Sequence, residues 1–274
     1  MNKISVITVC WNCVGEIEKT LTSVLAQTYS NMEYIVVDGA SKDGTLEIIN
    51  KYKNHISVLI SEPDSGLYNA MNKGVKAATG QWCIFMNAGD MFASNNVLKE
   101  MFEIHRPNSC TKVYYGSTTY VYENQVKITL RAKPIYPEIT RCQPYCHQSV
   151  FFNIEQKKEP FFDEKYKIAS DYNTSLWYYL TYGKNAFEIS KVLVSEYIAF
   201  GGVSTLEKNH QRMCLENFDI WKKNKICWKR YLIERIKYFI IYQQPIVVFK
   251  SLLKRFIKNG TIQDAEARSI NRTK

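Results

Sequence analysis

The first ninety residues alternate short apolar runs with amphipathic stretches. The apolar runs predict strands over 4–9, 33–38, 56–61 and 82–87. Between them, apolar residues at helical spacing predict helices over 16–27 and 45–52, the second after the turn signal Asp43-Gly44. Strands without polar alternation are typical of sheets covered on both faces. Strands that alternate with helices indicate a parallel sheet joined by right-handed crossovers. We therefore predict an α/β fold with a Rossmann-like, mostly parallel sheet flanked by helices.

Three acidic residues follow predicted strands. Asp38 ends the second strand, and Asp64 and Asp90 come three residues after the third and fourth. Because the carboxyl ends of parallel strands share one edge of a sheet, we expect these carboxylates to line a single crevice. Carboxylates repel a bare phosphate, but Mg²⁺ or Mn²⁺ can join them to a diphosphate. The chain lacks the G-x-x-x-x-G-K-[ST] and G-x-G-x-x-G loops. The sequence thus predicts a site that binds a nucleoside diphosphate together with a divalent cation.

Four segments together resemble a known family. In chain order they read I-S-V-I-T-V-C-W-N, I-V-V-D-G-A-S-K-D-G-T, S-E-P-D-S-G-L-Y-N-A-M-N-K-G and F-M-N-A-G-D. This order resembles the family 2 glycosyltransferases of the GT-A fold, in the bacterial branch that builds capsule, O-antigen or colanic-acid polysaccharide. The resemblance covers residues 1–105 most specifically and extends to 205. It implies inverting transfer of a sugar from a nucleotide-sugar, a UDP-sugar, to a glycan acceptor linked to a polyprenyl diphosphate.

The resemblance also implies roles for individual residues at the donor site. The D-x-D-type metal motif reads Asn87-Ala88-Gly89-Asp90 here, so Asp90 is its only carboxylate for Mn²⁺ or Mg²⁺. Asn87 is then a neutral ligand or a hydrogen-bond partner. Asp64 corresponds to the acid beside the diphosphate-sugar, and Asp38 to the acid that holds the uridine. The full set expected to bind the nucleotide-sugar is Thr8, Trp11, Asp38, Asp64, Lys73 and Asn87.

The segment I-A-S-D-Y over 168–172 precedes a predicted amphipathic helix. A carboxylate there is stabilised by capping and by the helix dipole, so Asp171 on its own is explained equally well as an N-cap. In the resembled family an Asp in this context is the catalytic base. The two explanations are compatible if Ser170 caps the helix and Asp171 projects into the cleft. His147 is a weaker candidate for contact with the acceptor or a phosphate, because a single His is more often structural.

The length of 274 residues suits one large domain or one domain with an extension. We predict a nucleotide-sugar-binding half over 1–105, an acceptor-binding half over 106–205 and a basic helical extension over 206–274. No run of eighteen apolar residues occurs, and the apolar start is explained as the first strand rather than a signal peptide. The expected location is cytoplasmic and peripheral, on the inner face of the cell membrane.

The net charge of +10 is concentrated near the C-terminus. Residues 222–258 contain eleven Lys or Arg and one acid, Glu234, whereas the rest of the chain has 25 basic and 25 acidic residues. Two apolar stripes with aromatic residues run through the same segment. Such helices are typical of elements that bind an anionic membrane surface, although a helical pair packed on the catalytic domain would show the same pattern. Nucleic acid is another partner of basic patches, but no binding motif accompanies this one, so we expect none.

The cysteines allow other interpretations. Eight cysteines without a secretory signal indicate reduced thiols. Cys10-x-x-Cys13 between a strand and a helix is also the arrangement of thiol redox proteins, but that function does not explain the three strand-end acids. Zinc shared with Cys142 and Cys146 has no recognised ligand spacing. A nucleotide-binding scaffold without catalytic activity is a further alternative.

Overall fold

A computed structural model describes residues 1–140, 142–156, 159–199 and 207–226. The strands in these ranges are β1 (Ile4–Cys10), β2 (Met32–Asp38), β3 (Val58–Ser61), β4 (Trp82–Phe85), β5 (Met91–Phe92), β6 (Val113–Val121), β7 (Lys127–Leu130), β8 (Val150–Asn153) and β9 (Phe187–Ile198). The helices are α1 (Ile17–Leu25), α2 (Thr45–Lys51), α3 (Leu67–Ala77), the short α4 (Val97–Lys99), α5 (Ile135–Glu138), α6 (Ser170–Tyr182) and α7 (Glu207–Lys223). All four predicted strands and both predicted helices are confirmed, with ends that differ by a few residues.

The described strands form a single sheet in the order β3-β2-β1-β4-β8-β6-β9-β5, with β7 paired to β6. Strands β3, β2, β1 and β4 are parallel to one another. Their register places Cys10 opposite Asp38 and Asp38 opposite Ser61. The carboxyl ends therefore meet at one edge, which confirms the α/β prediction. The second half is mixed, because β8 runs antiparallel to β4 and β6 whereas β9 runs parallel to β6.

Burial of both faces explains why these sequences form strands. Every residue of β1 is buried, and so are all of β2 after Met32 and all of β4. On α1, residues at helical spacing cover the sheet: Ile17, Leu21 and Val24 are fully buried. The turn before α2 requires Gly44, whose φ of +97° lies in the left-handed region. The predicted Asp43-Gly44 turn is thereby confirmed.

The chain divides into two compact units, Met1–Glu216 and Asn217–Lys274. Both predicted halves, 1–105 and 106–205, lie in the first unit and share its sheet. That the first half binds the nucleotide-sugar and the second binds the acceptor stays a prediction. The second unit is described as far as 226 and contains the last turns of α7. The predicted apolar stripes and most basic residues of 222–258 lie outside the described residues. In the described ranges, no helix is both long and apolar enough to cross a membrane.

Candidate active site

The loops after β1 and β2 are joined into one rim at the carboxyl edge. The amide of Asn12 donates to Ser41 Oγ at 2.8 Å, and the amide of Lys42 donates to Asn12 Oδ1 at 2.9 Å. Asp38 is fully buried, and its carboxylate accepts hydrogen bonds from Ser41 and from Ser61 Oγ. These donors hold Asp38 in one orientation behind the rim.

Thr8 and Trp11 differ in what they can contact. Thr8 is fully buried, and its hydroxyl lies 2.9 Å from Tyr34 Oη and donates to the carbonyl of Met86 at 2.7 Å. It therefore ties β1 to β2 and to the chain after β4, and a direct contact with nucleotide stays a prediction. Trp11 is 67% exposed at the rim, where its ring is accessible to a ligand.

Asp64 and Trp11 approach each other across Gly39. A Cβ on Gly39 would lie 2.5 Å from Asp64 Oδ2 and 3.2 Å from Trp11 Cδ1. Asp64 Oδ1 accepts the amide of Gly66 at 2.8 Å, which orients the carboxylate. Lys73 holds the same loop through a salt bridge to Glu62 at 2.7 Å and a hydrogen bond to the carbonyl of Pro63 at 2.7 Å. Absence of a side chain at Gly39 is thus what lets Asp64 reach the rim.

Asp90 is a desolvated carboxylate. It is 5% exposed, and Gln148 Nε2 donates to its Oδ2 at 2.9 Å. Burial raises the pKa of Asp90 to about 7, although the Gln148 hydrogen bond opposes the change. Thr20 fixes the backbone, since its hydroxyl donates to the carbonyl of Asp90 at 2.8 Å and accepts the amide of Gly89 at 2.9 Å. The buried Oδ1 of Asn87 has no hydrogen-bond partner among the described residues.

The Asn87 Oδ1 and the Asp90 carboxylate fit a hard cation that takes most of its remaining ligands from the substrate. Mg²⁺ usually takes one or two protein carboxylates and completes its shell with water and phosphate oxygens. Asn87 Oδ1 is unpaired in the described structure, and Asp90 is a buried acid whose charge a cation would compensate. Within the described ranges, no group of three or more His, Cys, Asp or Glu is arranged to hold a metal ion. The zinc alternative at Cys10, Cys13, Cys142 and Cys146 therefore receives no support.

Asp171 is the second residue of α6, and the condition that Ser170 caps the helix is not met. The N-cap is Ala169, and Ser170 does not cap the helix, because its hydroxyl donates instead to the carbonyl of Asp163 at 2.9 Å. The Asp171 carboxylate is 21% exposed. Its Oδ1 accepts hydrogen bonds from Tyr68 Oη at 3.1 Å and from the amide of Tyr172 at 2.8 Å.

His147 lies beside Asp171, with Nδ1 3.7 Å from Asp171 Oδ2. Its ring stacks on Phe85 at the end of β4, with centroids 5.2 Å apart. Burial lowers the pKa of His147, and the Asp171 charge only partly opposes this, so the imidazole is neutral at pH 7. Neither ring nitrogen has a hydrogen-bond partner in the described part of the chain. Since His147 contacts Asp171 and Gln148 contacts Asp90, adjacent residues bring the two acids into one site.

The cysteine pair does not have the arrangement of a redox centre. Cys10 and Cys13 form no disulfide. Cys10 is buried, and a hydrogen bond to Cys13, followed by desolvation, raises its pKa far above the usual value. The same hydrogen bond lowers the pKa of Cys13, which is half-buried. A thiol-exchange motif instead exposes its first cysteine as a thiolate.

Comparison with protein families gives one decisive match. The model of glycosyl transferase family 2 matches residues 5–170, which include β1 to β4 and Asp38, Asp64 and Asp90 but end just before Asp171. The chain belongs to glycosyl transferase family 2. The family resemblance inferred from the four sequence segments is thereby confirmed, and this transferase is an enzyme of glycosyl transfer.

Two relatives share part of the sequence. A PGL/p-HBAD biosynthesis glycosyltransferase of Mycobacterium bovis (strain BCG / Pasteur 1173P2) is 24% identical over 213 residues, which are 73% of this chain and 78% of that protein. The Escherichia coli UDP-Glc:alpha-D-GlcNAc-diphosphoundecaprenol beta-1,3-glucosyltransferase WfaP is 30% identical over 130 residues, which are 47% of this chain and 50% of that protein.

Two solved structures share the fold. S. aureus TarS in complex with UDP superposes with a TM-score of 0.58 at 19% identity, covering 80% of this chain and 64% of that chain. The transferase thus spans less than two thirds of TarS. The Pyrobaculum calidifontis mannosyltransferase PcManGT, in complex with GDP-Man and Mn²⁺, has a TM-score of 0.57 at 15% identity and covers 87% of this chain and 69% of that chain. The predicted GT-A fold is confirmed by these similarities.

Three residues of the site had no predicted role. Tyr68 lies in the third of the four family segments and Gln148 follows His147, but only contacts between residues 103 and 58 positions apart place them beside Asp171 and Asp90. Glu216 lies beyond the family match, and no motif around it predicts a role. Its hydrogen bonds are at the start of α6.

We expect Gly39→Ala to weaken donor binding without unfolding the transferase. The added Cβ would meet Asp64 Oδ2 at 2.5 Å and displace that carboxylate from the rim. The measurement is the dissociation constant of UDP by titration calorimetry, together with the melting temperature. Gly15→Ala is the matched control, since a Cβ there meets nothing within 4 Å. Equal UDP affinity in both variants would show that Asp64 plays no part at the donor site.

Proposed function

We propose that this transferase is an inverting, metal-dependent enzyme of bacterial surface polysaccharide synthesis. Its donor is a nucleoside diphosphate sugar, a UDP-sugar, and its acceptor is a glycan on a polyprenyl diphosphate lipid. The observation that carries the proposal is the pair of carboxylates, Asp90 and Asp171, that the adjacent residues His147 and Gln148 bring into one site.

The rim formed by the loops after β1 and β2 is the proposed nucleotide site. Trp11 offers an exposed ring on which a base can stack. The same rim includes Asp64 and Lys73, with Asp38 behind it. The two carboxylates can accept hydrogen bonds from ribose hydroxyls or from a base N–H. Relatives support this choice of donor, because WfaP is named as a UDP-Glc transferase and TarS binds UDP.

Asn87 and Asp90 are the proposed ligands of Mg²⁺ or Mn²⁺. When bound, such an ion offsets the charge that builds on the diphosphate leaving group. Asp90 suits this role because Gln148 and Thr20 fix its carboxylate and backbone in advance. The Mn²⁺ complex of PcManGT supports a divalent cation in this fold.

Asp171 is the proposed general base. It accepts the proton of the acceptor hydroxyl, whose oxygen attacks the anomeric carbon on the face opposite the diphosphate. The bond from that carbon to the diphosphate oxygen breaks, and the nucleoside diphosphate leaves with the electron pair. His147 is a proposed contact of the acceptor, because its buried ring nitrogens have no partner in the described structure and one lies near Asp171.

The acceptor and location follow from the relatives and from the charge distribution. WfaP acts, by its name, on a diphosphoundecaprenol-linked sugar. A transferase with such an acceptor works at a membrane surface, and residues 222–258 carry the whole net charge of +10. We therefore place the enzyme in the cytoplasm, peripheral on the inner membrane face, with 222–258 as the attachment.

Asp90→Asn tests the metal site. The variant should lose transfer activity and the Mn²⁺-dependent rise in melting temperature that UDP produces, while its ligand-free melting temperature stays near wild type. Glu123→Gln, at an exposed hairpin turn, is the control for loss of one negative charge. Normal metal-dependent turnover by the Asp90 variant would remove this residue from the metal site.

Asp171→Asn tests the base. Turnover should fall by about 10²- to 10⁴-fold, the usual contribution of a general base, with donor affinity near wild type. The measurements are the single-turnover rate and the dissociation constant of UDP. A variant that melts earlier yet keeps its rate would show that Asp171 serves only the start of α6. Absence of turnover by the wild-type protein would favour the scaffold alternative.

Membrane attachment is tested by liposome co-sedimentation. The intact chain should bind anionic vesicles, and binding should weaken at 1 M salt, where the Debye length shrinks to about 3 Å. A variant with Lys250, Lys254, Arg255 and Lys258 changed to Glu should bind much less. Neutral vesicles are the control. Equal binding by both proteins, insensitive to salt, would contradict attachment through this segment.

A further inference from the structure

The backbone just before Asp171 is held by a buried carboxylate from a distant helix. Glu216, on α7, is 8% exposed. Its Oε2 accepts the amides of Ile168 at 2.8 Å and Ala169 at 3.0 Å, and its Oε1 accepts the amide of Lys167 at 2.8 Å. Three consecutive N–H groups therefore point at one carboxylate.

Tyr68, on α3, holds the same stretch from its other side. Its hydroxyl donates to the carbonyl of Ile168 at 2.6 Å and lies 3.1 Å from Asp171 Oδ1. Burial, and then the Asp171 charge, raise the pKa of Tyr68 well above its usual value, so the hydroxyl stays protonated and donates. Ile168 is thus bound at its N–H by Glu216 and at its C=O by Tyr68.

This arrangement adds to the local hydrogen bonds at the start of α6. The first amides of a helix lack partners within the helix, and a nearby Ser, Thr, Asp or Asn side chain usually accepts them. The N-cap of α6 is Ala169, which has no side-chain acceptor, and the Tyr172 amide is accepted by Asp171 Oδ1. The amide of Ala169 itself is accepted by Glu216, 47 residues along the chain. The start of α6, and with it Asp171, is therefore oriented by tertiary contacts.

We propose that Tyr68 and Glu216 are positioning residues that clamp Ile168 and so aim the Asp171 carboxylate at the acceptor hydroxyl. This inference rests on the proposed role of Asp171 as the base. A displacement of about 1 Å at a reacting group can lower a rate by about 10²-fold. Loss of either contact should therefore lower the turnover rate. The hydrogen bonds of both residues described here go to 167–169 and Asp171 and to no residue of the rim loops, so donor binding should be unaffected.

The test compares Tyr68→Phe, Glu216→Gln and the double variant with wild type. Phe removes only the hydroxyl. Gln at 216 keeps one oxygen acceptor but turns an N–H₂ group toward a backbone donor. Each single variant should lower kcat by about 10- to 100-fold with an unchanged dissociation constant for UDP. The double variant should lose less than the product of the two losses, because both contacts act on one peptide.

Arg212→Gln is the matched control on α7. Arg212 is 54% exposed and bonds Glu216 Oε1 through Nε at 3.0 Å, four residues away on the same helix. The Arg212 end of this pair is exposed to solvent, and its loss leaves all three backbone bonds of Glu216 in place. Its kcat should stay within about twofold of wild type. Hydrogen exchange gives a readout independent of activity: the amides of Ile168 and Ala169 should exchange faster in Glu216→Gln and not in Arg212→Gln.

The outcomes separate this inference from the proposed function. If Asp171→Asn loses turnover but both clamp variants keep wild-type kcat, the clamp is wrong and the base assignment stands. If Asp171→Asn keeps its rate, the base assignment is wrong, and the proposed role of Tyr68 and Glu216 in positioning that base is wrong as well. A loss of kcat matched by an equal loss of folded protein or of UDP affinity would also overturn the inference. Should Glu216→Gln not fold, Tyr68→Phe decides the question alone.

Discussion

The parallel register of β1 to β4 is the constraint on which the site depends. Backbone hydrogen bonds place Cys10, Asp38 and Ser61 in one row, and the chain after β4 continues beside β1 through the bond from the amide of Ala88 to the carbonyl of Val9. A shift of one residue would turn every buried side chain of these strands to the opposite face. Because the strands are buried on both faces, hydrophobic packing fixes this register, and the register fixes the loops.

The acids at this edge occupy different electrostatic environments. Asp38 accepts hydrogen bonds from serine hydroxyls, Asp90 is desolvated and accepts a hydrogen bond from Gln148, and Asp171 remains partly open to solvent. Desolvation favours the neutral form of a carboxylic acid, and it raises the pKa of Asp90. In the proposed function these acids have three different roles: Asp38 holds the nucleotide, Asp90 binds a cation and Asp171 accepts a proton. The difference in surroundings is consistent with that division, although all three are the same residue type.

Local pattern was enough to predict the donor half of the fold. Continuous apolar runs gave the four parallel strands, and the Asp-Gly turn and strand-end acids gave the edge at which ligands bind. The strand order of the mixed second half could not be predicted from local pattern, because β6 and β9 pair across more than seventy residues. The contacts of Gln148, Tyr68 and Glu216 have the same character. Each joins segments far apart in sequence, so the residues around Ser170 could not show that a carboxylate on another helix binds the amides of 167–169.

The position of Glu216 sets a limit on how short a catalytic chain can be. The match to the family model ends at 170, and the acceptor half was predicted to end at 205. A chain cut at 205 would retain every proposed catalytic residue, whereas a cut at 170 would also lose Asp171. Either cut would leave the amides of 167–169 without their carboxylate. An unpaired buried donor destabilises a protein by about 1–3 kcal/mol, and domains are stable by only about 5–15 kcal/mol. The smallest self-sufficient enzyme therefore has to reach α7.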